Sequence, residues 1–188
     1  MHFSSYTRCK RILDIIYASS GIFLSIIPMT CIAAAVKATS KGPFIFRQVR
    51  IGQNGTPFVC YKIRTMKNGT PQCPSAKLCN RASCMTPIGS FLRSHSLDEL
   101  TQFFNVLRGD MSVIGPRPLI PQERDLHRMR TEKGVYSLRP GISGLSQING
   151  RDDLTDRLKA RLDAIYLENA SLWLDFAILA RTLRCLRH

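Results

Sequence analysis

Two neighbouring carboxylates, Asp98 and Glu99, lie in the stretch Ser96-Leu97-Asp98-Glu99-Leu100. Leu97, Leu100, Phe104 and Leu107 recur at helical spacing and Gly109 supplies a stop, so a helix is predicted from Ser96. Ser96 as N-cap with Glu99 three residues on is a capping box, which by itself accounts for Glu99. Acidic residues in a first turn also complement the helix dipole. The same placement offers chemistry. The free N–H groups of a helix start bind phosphate. A carboxylate held there is ionised and can attack phosphorus, while its neighbour can hold Mg²⁺ beside the phosphate oxygens. Arg93, five residues before Asp98, can clamp the same phosphate with two hydrogen bonds. Together these residues outline a phosphoryl-transfer site.

Other candidates are weaker one by one. Arg117 stands between Pro116 and Pro118, whose fixed φ angles would aim its guanidinium at little entropic cost. Lys62 and Arg64 alternate around Ile63, so both can leave one face of a strand. Arg139, Gln147 and Arg151 lie in a glycine-rich stretch able to cradle phosphates or a nucleotide, or simply to turn. Asp163 follows Lys159 by four residues, and a solvated ion pair would explain it. His95 has no partner visible in the sequence and reads as structural.

Several elements must position these groups. The chain has 188 residues, 44% hydrophobic, enough for one domain with a core. Lys and Arg number 27 against 13 Asp and Glu, a net charge of +14. Such an excess calls for an anionic partner: nucleic acid, acidic lipid or phosphorylated substrate. The seven cysteines include no Cys-x-x-Cys pair, and Cys73, Cys79 and Cys84 match no common zinc spacing. Free thiols in a reducing compartment are the expectation.

Ile15 to Val36 is a run without one charged side chain, about 33 Å long as a helix and sufficient to cross a bilayer. Pro28 falls inside it, so a kink or break is expected there. Basic residues flank the run on both sides: Arg8, Lys10 and Arg11 before it, Lys37 and Lys41 after. That symmetry suits a helix that dips in, bends at Pro28 and returns to the same face; a straight span is the alternative. At the other end of the chain, Ser171 to Leu186 combines Trp173 and many aliphatic residues with Arg181, Arg184 and Arg187, a composition suited to the headgroup layer or to ordinary packing on a core. Pro43 to Met66 reads as a hairpin turning at Asn54-Gly55, and Lys67 to Met85 as a long loop. Asp153 to Ala170 is helical, with Leu154, Leu158, Leu162, Ile165 and Tyr166 on one face. The fold class expected is α+β: mainly helical, with a small hairpin, an N-terminal re-entrant membrane helix and amphipathic interfacial helices. The division expected is a membrane-inserted helix over 1–36, broken near Pro28, and a membrane-associated catalytic domain over 37–188.

The motifs in order are Lys10-Arg11-Ile12-Leu13-Asp14, Tyr61-Lys62-Ile63-Arg64-Thr65-Met66, Arg93-Ser94-His95-Ser96-Leu97-Asp98-Glu99-Leu100, Phe104-Asn105-Val106-Leu107-Arg108-Gly109-Asp110-Met111-Ser112, Gly115-Pro116-Arg117-Pro118 and Arg139-Pro140-Gly141-Ile142-Ser143-Gly144. This series resembles the bacterial sugar transferases, the small monotopic phosphoglycosyl transferases, from about residue 8 to the end. The resemblance implies transfer of a sugar 1-phosphate from a UDP-sugar to undecaprenyl phosphate at the cytoplasmic face of a bacterial inner membrane. It thereby implies a start to glycan assembly, be it exopolysaccharide, capsule, O-antigen or glycoprotein, and no nucleic-acid partner. By that likeness Asp98 is the nucleophile of a covalent phosphosugar intermediate and Glu99 holds Mg²⁺. Arg93, Arg117, Lys62 and Arg64 hold phosphates, and Arg139, Gln147 and Asp163 line the site. The chain departs from the family pattern at Ile27 before Pro28, at His95 and in the cysteine-bearing loop; none of these removes a proposed catalytic group. The competing reading is a non-catalytic, basic, membrane-tethered module binding nucleic acid or anionic lipid.

Overall fold

The computed structural model describes residues 3–71, 81–150 and 153–185. Cys73, Cys79 and Arg151 lie outside them, as do Arg187 and both chain ends. The first element, α1, runs 37 residues from Phe3 to Thr39. It is long and apolar enough to cross a membrane. The helix is continuous through Pro28, where a kink or break is expected. Proline removes one donor, leaving the Leu24 carbonyl without its usual partner. Leu24 is on the exposed side of the helix, where that loss is least costly. The flanking turns are reinforced by side chains: the Ser25 hydroxyl donates to the Ile22 carbonyl at 3.0 Å and the Thr30 hydroxyl to the Ile26 carbonyl at 2.8 Å.

One stripe of α1 faces the protein. Asp14, Ala18, Ser25 and Val36 are buried on it, and Gly21 lets the Phe103 ring lie where a Cβ would otherwise sit. Phe23, Leu24 and Ile27 on the outer face are at least 75% exposed. Both ends are fastened to the same body. Near the start, Arg11 donates to the carbonyls of Val106 and Leu107 at 2.6 and 2.9 Å, and Asp14 accepts from the Val113 amide at 2.9 Å. Near the end, Val36 packs with Ile63 and Leu92.

Strands β1 (Ile45–Ile51) and β2 (Pro57–Ile63) form the expected antiparallel hairpin, with Ile45 opposite Ile63 and Ile51 opposite Pro57. Asn54 and Gly55 turn it with φ of 55° and 74°, the left-handed pair that an Asn-Gly dipeptide supports. The loop beginning at Lys67 is closed by a bridge between Met66 and Met85. Helices α2 (Gly89–Ser94) and α3 (Gln102–Arg108) come next. Gly109, at φ 99°, ends α3 as expected.

A second, two-stranded sheet escapes a local reading. Strand β3 (Ser112–Ile114) pairs in parallel with β4 (Gly141–Ser143), across helix α4 (Arg124–Glu132). Gly115, Gly141 and Gly144 pack backbone on backbone there; a Cβ on Gly141 would stand 2.1 Å from the Gly115 nitrogen. This glycine-rich stretch is therefore filled by its own chain and is not an open phosphate cradle. Helices α5 (Leu145–Ile148), α6 (Asp156–Glu168) and α7 (Leu172–Cys185) complete the body. The inward stripe of α6 is Ala160, Asp163 and Tyr166; Leu158 and Ile165 are partly exposed, so the apolar face expected from the sequence is rotated. On α7, Ile178 is buried while Trp173, Phe176 and Leu183 are exposed. The principal core joins Ala18, Val106, Met111, Ile114, Tyr166 and Ile178, drawing on α1, α3, β3, α6 and α7.

Candidate active site

The turn bearing Asp98 and Glu99 is held by the open edge of β2. Thr101 donates from its hydroxyl to the Tyr61 carbonyl at 2.9 Å. Asn105, one helical turn on and wholly buried, accepts from the Tyr61 amide at 3.1 Å and donates to the Val59 carbonyl at 2.7 Å. A strand edge presents unpaired backbone groups that need partners, and side chains four apart on one helical face supply them here. This docking places the Asp98 turn beside Lys62.

The turn is not the helix start expected. Leu97–Glu99 is a single 3₁₀ turn, α3 begins only at Gln102, and Ser96 is left-handed at φ 54° with no side-chain cap bond. The capping box does not form. Glu99 instead has stronger partners: its Oε1 lies 2.8 Å from Lys62 Nζ and 3.5 Å from Arg117 Nη1. A charge-assisted pair outcompetes a backbone cap in a half-buried setting. Asp98 is buried, and burial raises its carboxyl above the usual range. Lys62 opposes that rise, Glu99 adds to it, and Arg93 and Arg117 oppose it.

Asp98 opens into a cavity of about 420 Å³, a size ordinary for small-molecule sites. Lys62, Arg64, Arg93, Arg117 and Gln147 share the wall, and basic side chains on it outnumber acidic ones eight to two. Such a lining concentrates anions. Five of the side chains expected from the sequence thus meet Asp98 in one cavity, and Glu99 stands against it through Lys62 and Arg117.

Arg64, Arg139 and Asp163 have other surroundings. Arg64 lines the cavity, but its terminal nitrogens cap the end of α1: Nη2 donates to the Ser40 carbonyl at 3.0 Å and to the Ser40 hydroxyl at 2.8 Å, and Nη1 to the Lys41 carbonyl. Cations complete the C-terminal end of a helix, where carbonyls lack partners. Arg139 is not on the cavity wall and flanks β4. Asp163 stands behind the wall, only 1% exposed, and pairs with Arg130 at 2.6 Å instead of Lys159. Lys159 lies 3.7 Å from Asp156.

Arg50 and Arg130 do not stand out in the sequence. Both hold the Arg117 segment: Arg130 donates to the Arg117 carbonyl at 2.7 Å, and Arg50 to the Pro118 carbonyl at 2.6 Å. Two prolines and two guanidinium clamps thus fix one arginine. The alternation of Gln48 and Arg50 along β1 is the available signal for Arg50; Arg130 carries none, because its partner is 33 residues away. His95 lies with its Nδ1 2.9 Å from the Phe91 carbonyl. Cys9, Cys31, Cys60 and Cys84 are free thiols.

Glu99 is the carboxylate that would hold a divalent cation. Among the described residues no three His, Cys, Asp or Glu side chains converge, so no all-protein cage exists. One carboxylate beside a cation-lined cavity would suit Mg²⁺ only together with the oxygens of a bound anion.

A family model described as bacterial sugar transferase matches residues 5–188. A UDP-glucose:undecaprenyl-phosphate glucose-1-phosphate transferase of Klebsiella pneumoniae is 41% identical over 180 residues, 92% of this chain and 39% of that protein. A protein of the same description from Caulobacter vibrioides is 37% identical over 183 residues, 92% of this chain and 67% of that protein. An undecaprenyl-phosphate galactose phosphotransferase of Salmonella typhimurium is 44% identical over 99 residues, 52% of this chain and 20% of that protein. The chain therefore spans about two fifths of the first of these relatives and two thirds of the second.

Proposed function

The chain belongs to the bacterial sugar transferase family, and from that premise we propose that it moves a sugar 1-phosphate from a UDP-sugar to undecaprenyl phosphate. The observation that carries the reading is the adjacent pair Asp98 and Glu99 at a cation-lined cavity, with Glu99 bound to Lys62 and Arg117. An Asp98 carboxylate oxygen attacks the sugar-bearing phosphorus of the donor. The bond from that phosphorus to the bridging oxygen breaks, and UMP leaves with the electron pair. A phosphate oxygen of undecaprenyl phosphate then attacks the same phosphorus and displaces Asp98. One soluble and one lipid substrate thereby use a single site in turn.

The buried side chains supply the electrostatics. Lys62 and Arg117 face charge that builds on the phosphoryl oxygens, in surroundings where such contacts count for more than in water. Arg93 adds a third cation to the same wall. The rigid Arg117 segment keeps its guanidinium aimed before substrate arrives, which lowers the entropic cost of reaching the transition state. Glu99 is the residue proposed to hold Mg²⁺ with the diphosphate. Once bound, the ion would offset repulsion between carboxylate and donor.

The bilayer has a place in this reading. Both ends of α1 are bonded to one body, whereas a helix crossing a bilayer puts its ends on opposite faces about 30 Å apart. We place α1 in one leaflet, its Phe23, Leu24 and Ile27 face in the hydrocarbon, with the body on the cytoplasmic side. Epitopes fused at His2 and at His188 are then both reached by a membrane-impermeant label only after the inner membrane is opened. Labelling of the first in intact spheroplasts would mean a full crossing.

The relatives are named for glucose and for galactose, so the sugar is a matter for assay. Membranes containing the chain, given undecaprenyl phosphate and a panel of UDP-sugars, are expected to release UMP and form a lipid diphosphate sugar with at least one donor. Release that is absent throughout, or unchanged in Asp98→Ala, favours the non-catalytic binding module.

A further inference from the structure

The proposed reaction employs Asp98, Glu99 and the cations but leaves Glu123 without a task. Glu123 is, with Asp98, one of two acidic side chains on the cavity wall. It stands half-buried at the N-cap of α4 and does not cap that helix. Its side chain turns back instead. Oε2 accepts from the Ile120 amide at 2.9 Å, while the Glu123 amide donates to the Ile120 carbonyl at 3.1 Å. Two bonds across one turn hold the carboxylate in place. Among the described residues no donor reaches Oε1, and that oxygen keeps accessible surface. Cations of the wall are engaged elsewhere: Lys62 and Arg117 with Glu99, Arg130 with Asp163, Lys159 with Asp156, and Arg50 with Gln48 and the Pro118 carbonyl. An acceptor anchored at one oxygen and open at the other faces the occupant of the cavity.

A carboxylate repels phosphate, so Glu123 does not serve the diphosphate. It does accept from hydroxyls, in bonds stronger than neutral ones. A UDP-sugar carries hydroxyls on its hexose and its ribose, and one N–H on uracil. The course of the chain favours the hexose. Arg117 to Glu123 is one segment, and its first residue lies 3.5 Å from Glu99, next to the Asp98 that takes the sugar-bearing phosphate. The backbone between is pinned to β1: Arg50 donates to the Pro118 carbonyl at 2.6 Å, and the Ile51 amide to the Leu119 carbonyl at 2.9 Å. The hexose hangs from the reacting phosphate by one oxygen, whereas ribose and uracil lie beyond the second phosphate. One rigid segment thus aims a cation at the phosphate and an acceptor at the ring it carries. A fixed acceptor separates a sugar that places a hydroxyl on it from one that does not.

We propose that Glu123 reads the transferred sugar, its Oε1 accepting one ring hydroxyl; the assignment rests on the UDP-sugar reading and extends it to the hexose. The test uses the full chain in detergent micelles, wild type against Glu123→Ala. UMP release is measured from the UDP-hexose turned over fastest and from its monodeoxy analogues, and UMP binding is measured by calorimetry. With wild type, one analogue is expected to lose roughly 10- to 100-fold in kcat/KM, the scale of one hydrogen bond to a charged group. With Glu123→Ala that analogue loses little against its parent donor, and UMP binds as before. Should Glu123→Ala not fold, Glu123→Gln keeps an oxygen for the Ile120 amide without the charge, and its deoxy loss is expected to be smaller than that of wild type. No deoxy loss in wild type, or the same loss in wild type and variant, overturns the assignment. So does weaker UMP binding in the variant, which would put Glu123 on ribose or uracil. These results from a protein that turns over a UDP-sugar overturn the assignment alone; no UMP release from any UDP-sugar overturns the donor reading as well.

Discussion

Asp98→Asn is expected to reduce UMP release on the order of a thousandfold or more, the scale of losing a nucleophile that acts as part of a unit. The same substitution is expected to stabilise the fold. Burial holds the Asp98 carboxyl above its ordinary range, with Lys62 as the main opposing influence. A carboxyl that binds its proton more tightly in the folded chain favours folding fully below its unfolded value. That contribution is lost as pH rises through the raised folded value. At neutral pH the buried charge therefore weighs against the fold, and the amide removes it. Thermal unfolding in metal-free detergent should show a higher midpoint for Asp98→Asn at neutral pH. The difference should shrink toward acid and vanish below the ordinary carboxylate range. A variant that is inactive and also less stable at neutral pH would mean that Asp98 serves structure.

The second large effect concerns Asp163, which the family resemblance places in the lining of the site and the fold places behind it. Both Arg130 Nε and Nη2 donate to its Oδ2, at 2.9 and 2.6 Å, and Ser146 donates to its Oδ1. Arg130 also holds the Arg117 carbonyl. Asp163→Asn leaves a buried guanidinium without its counter-charge, a loss on the order of 3–5 kcal/mol. The unfolding midpoint should fall sharply. Activity measured well below that midpoint should persist, with the Arg117 segment less well held. A substrate ligand would behave oppositely, losing activity while the midpoint stayed put. Measuring both quantities on one preparation separates the two roles.

How much of this is legible in the sequence depends on how far apart the partners lie. The hairpin is local: Asn54 and Gly55 turn it, and its register is set by that turn. The motif residues Lys62, Arg93, Asp98 and Arg117 converge as their order implies, because rigid turns and a strand edge place them. Ser96 to Glu99 shows a local pattern losing to a tertiary one. Its spacing suits a capping box, but Lys62 and Arg117 come from elsewhere and take Glu99. Pro28 is a local disruption that suggests a kink or break, and one missing donor on an exposed helical face need not end a helix. The β3–β4 pairing, the Asn105 bonds to β2 and the Arg130–Asp163 pair join residues distant in the chain, and no periodicity marks them. Arg64 departs from expectation for a related reason. Its place on the β2 side of the cavity is as expected, but the end of α1 reaches it and occupies its terminal nitrogens.

The most direct test uses one substrate. The chain in detergent or nanodiscs, incubated with a UDP-sugar labelled in the sugar-bearing phosphate and with no lipid acceptor, should take up the label and release one UMP per protein. Peptide mapping should place the phosphosugar on Asp98, and later addition of undecaprenyl phosphate should discharge it into lipid. UMP release that begins only when the lipid is present, with the protein unlabelled throughout, would contradict the two-step account and favour direct transfer.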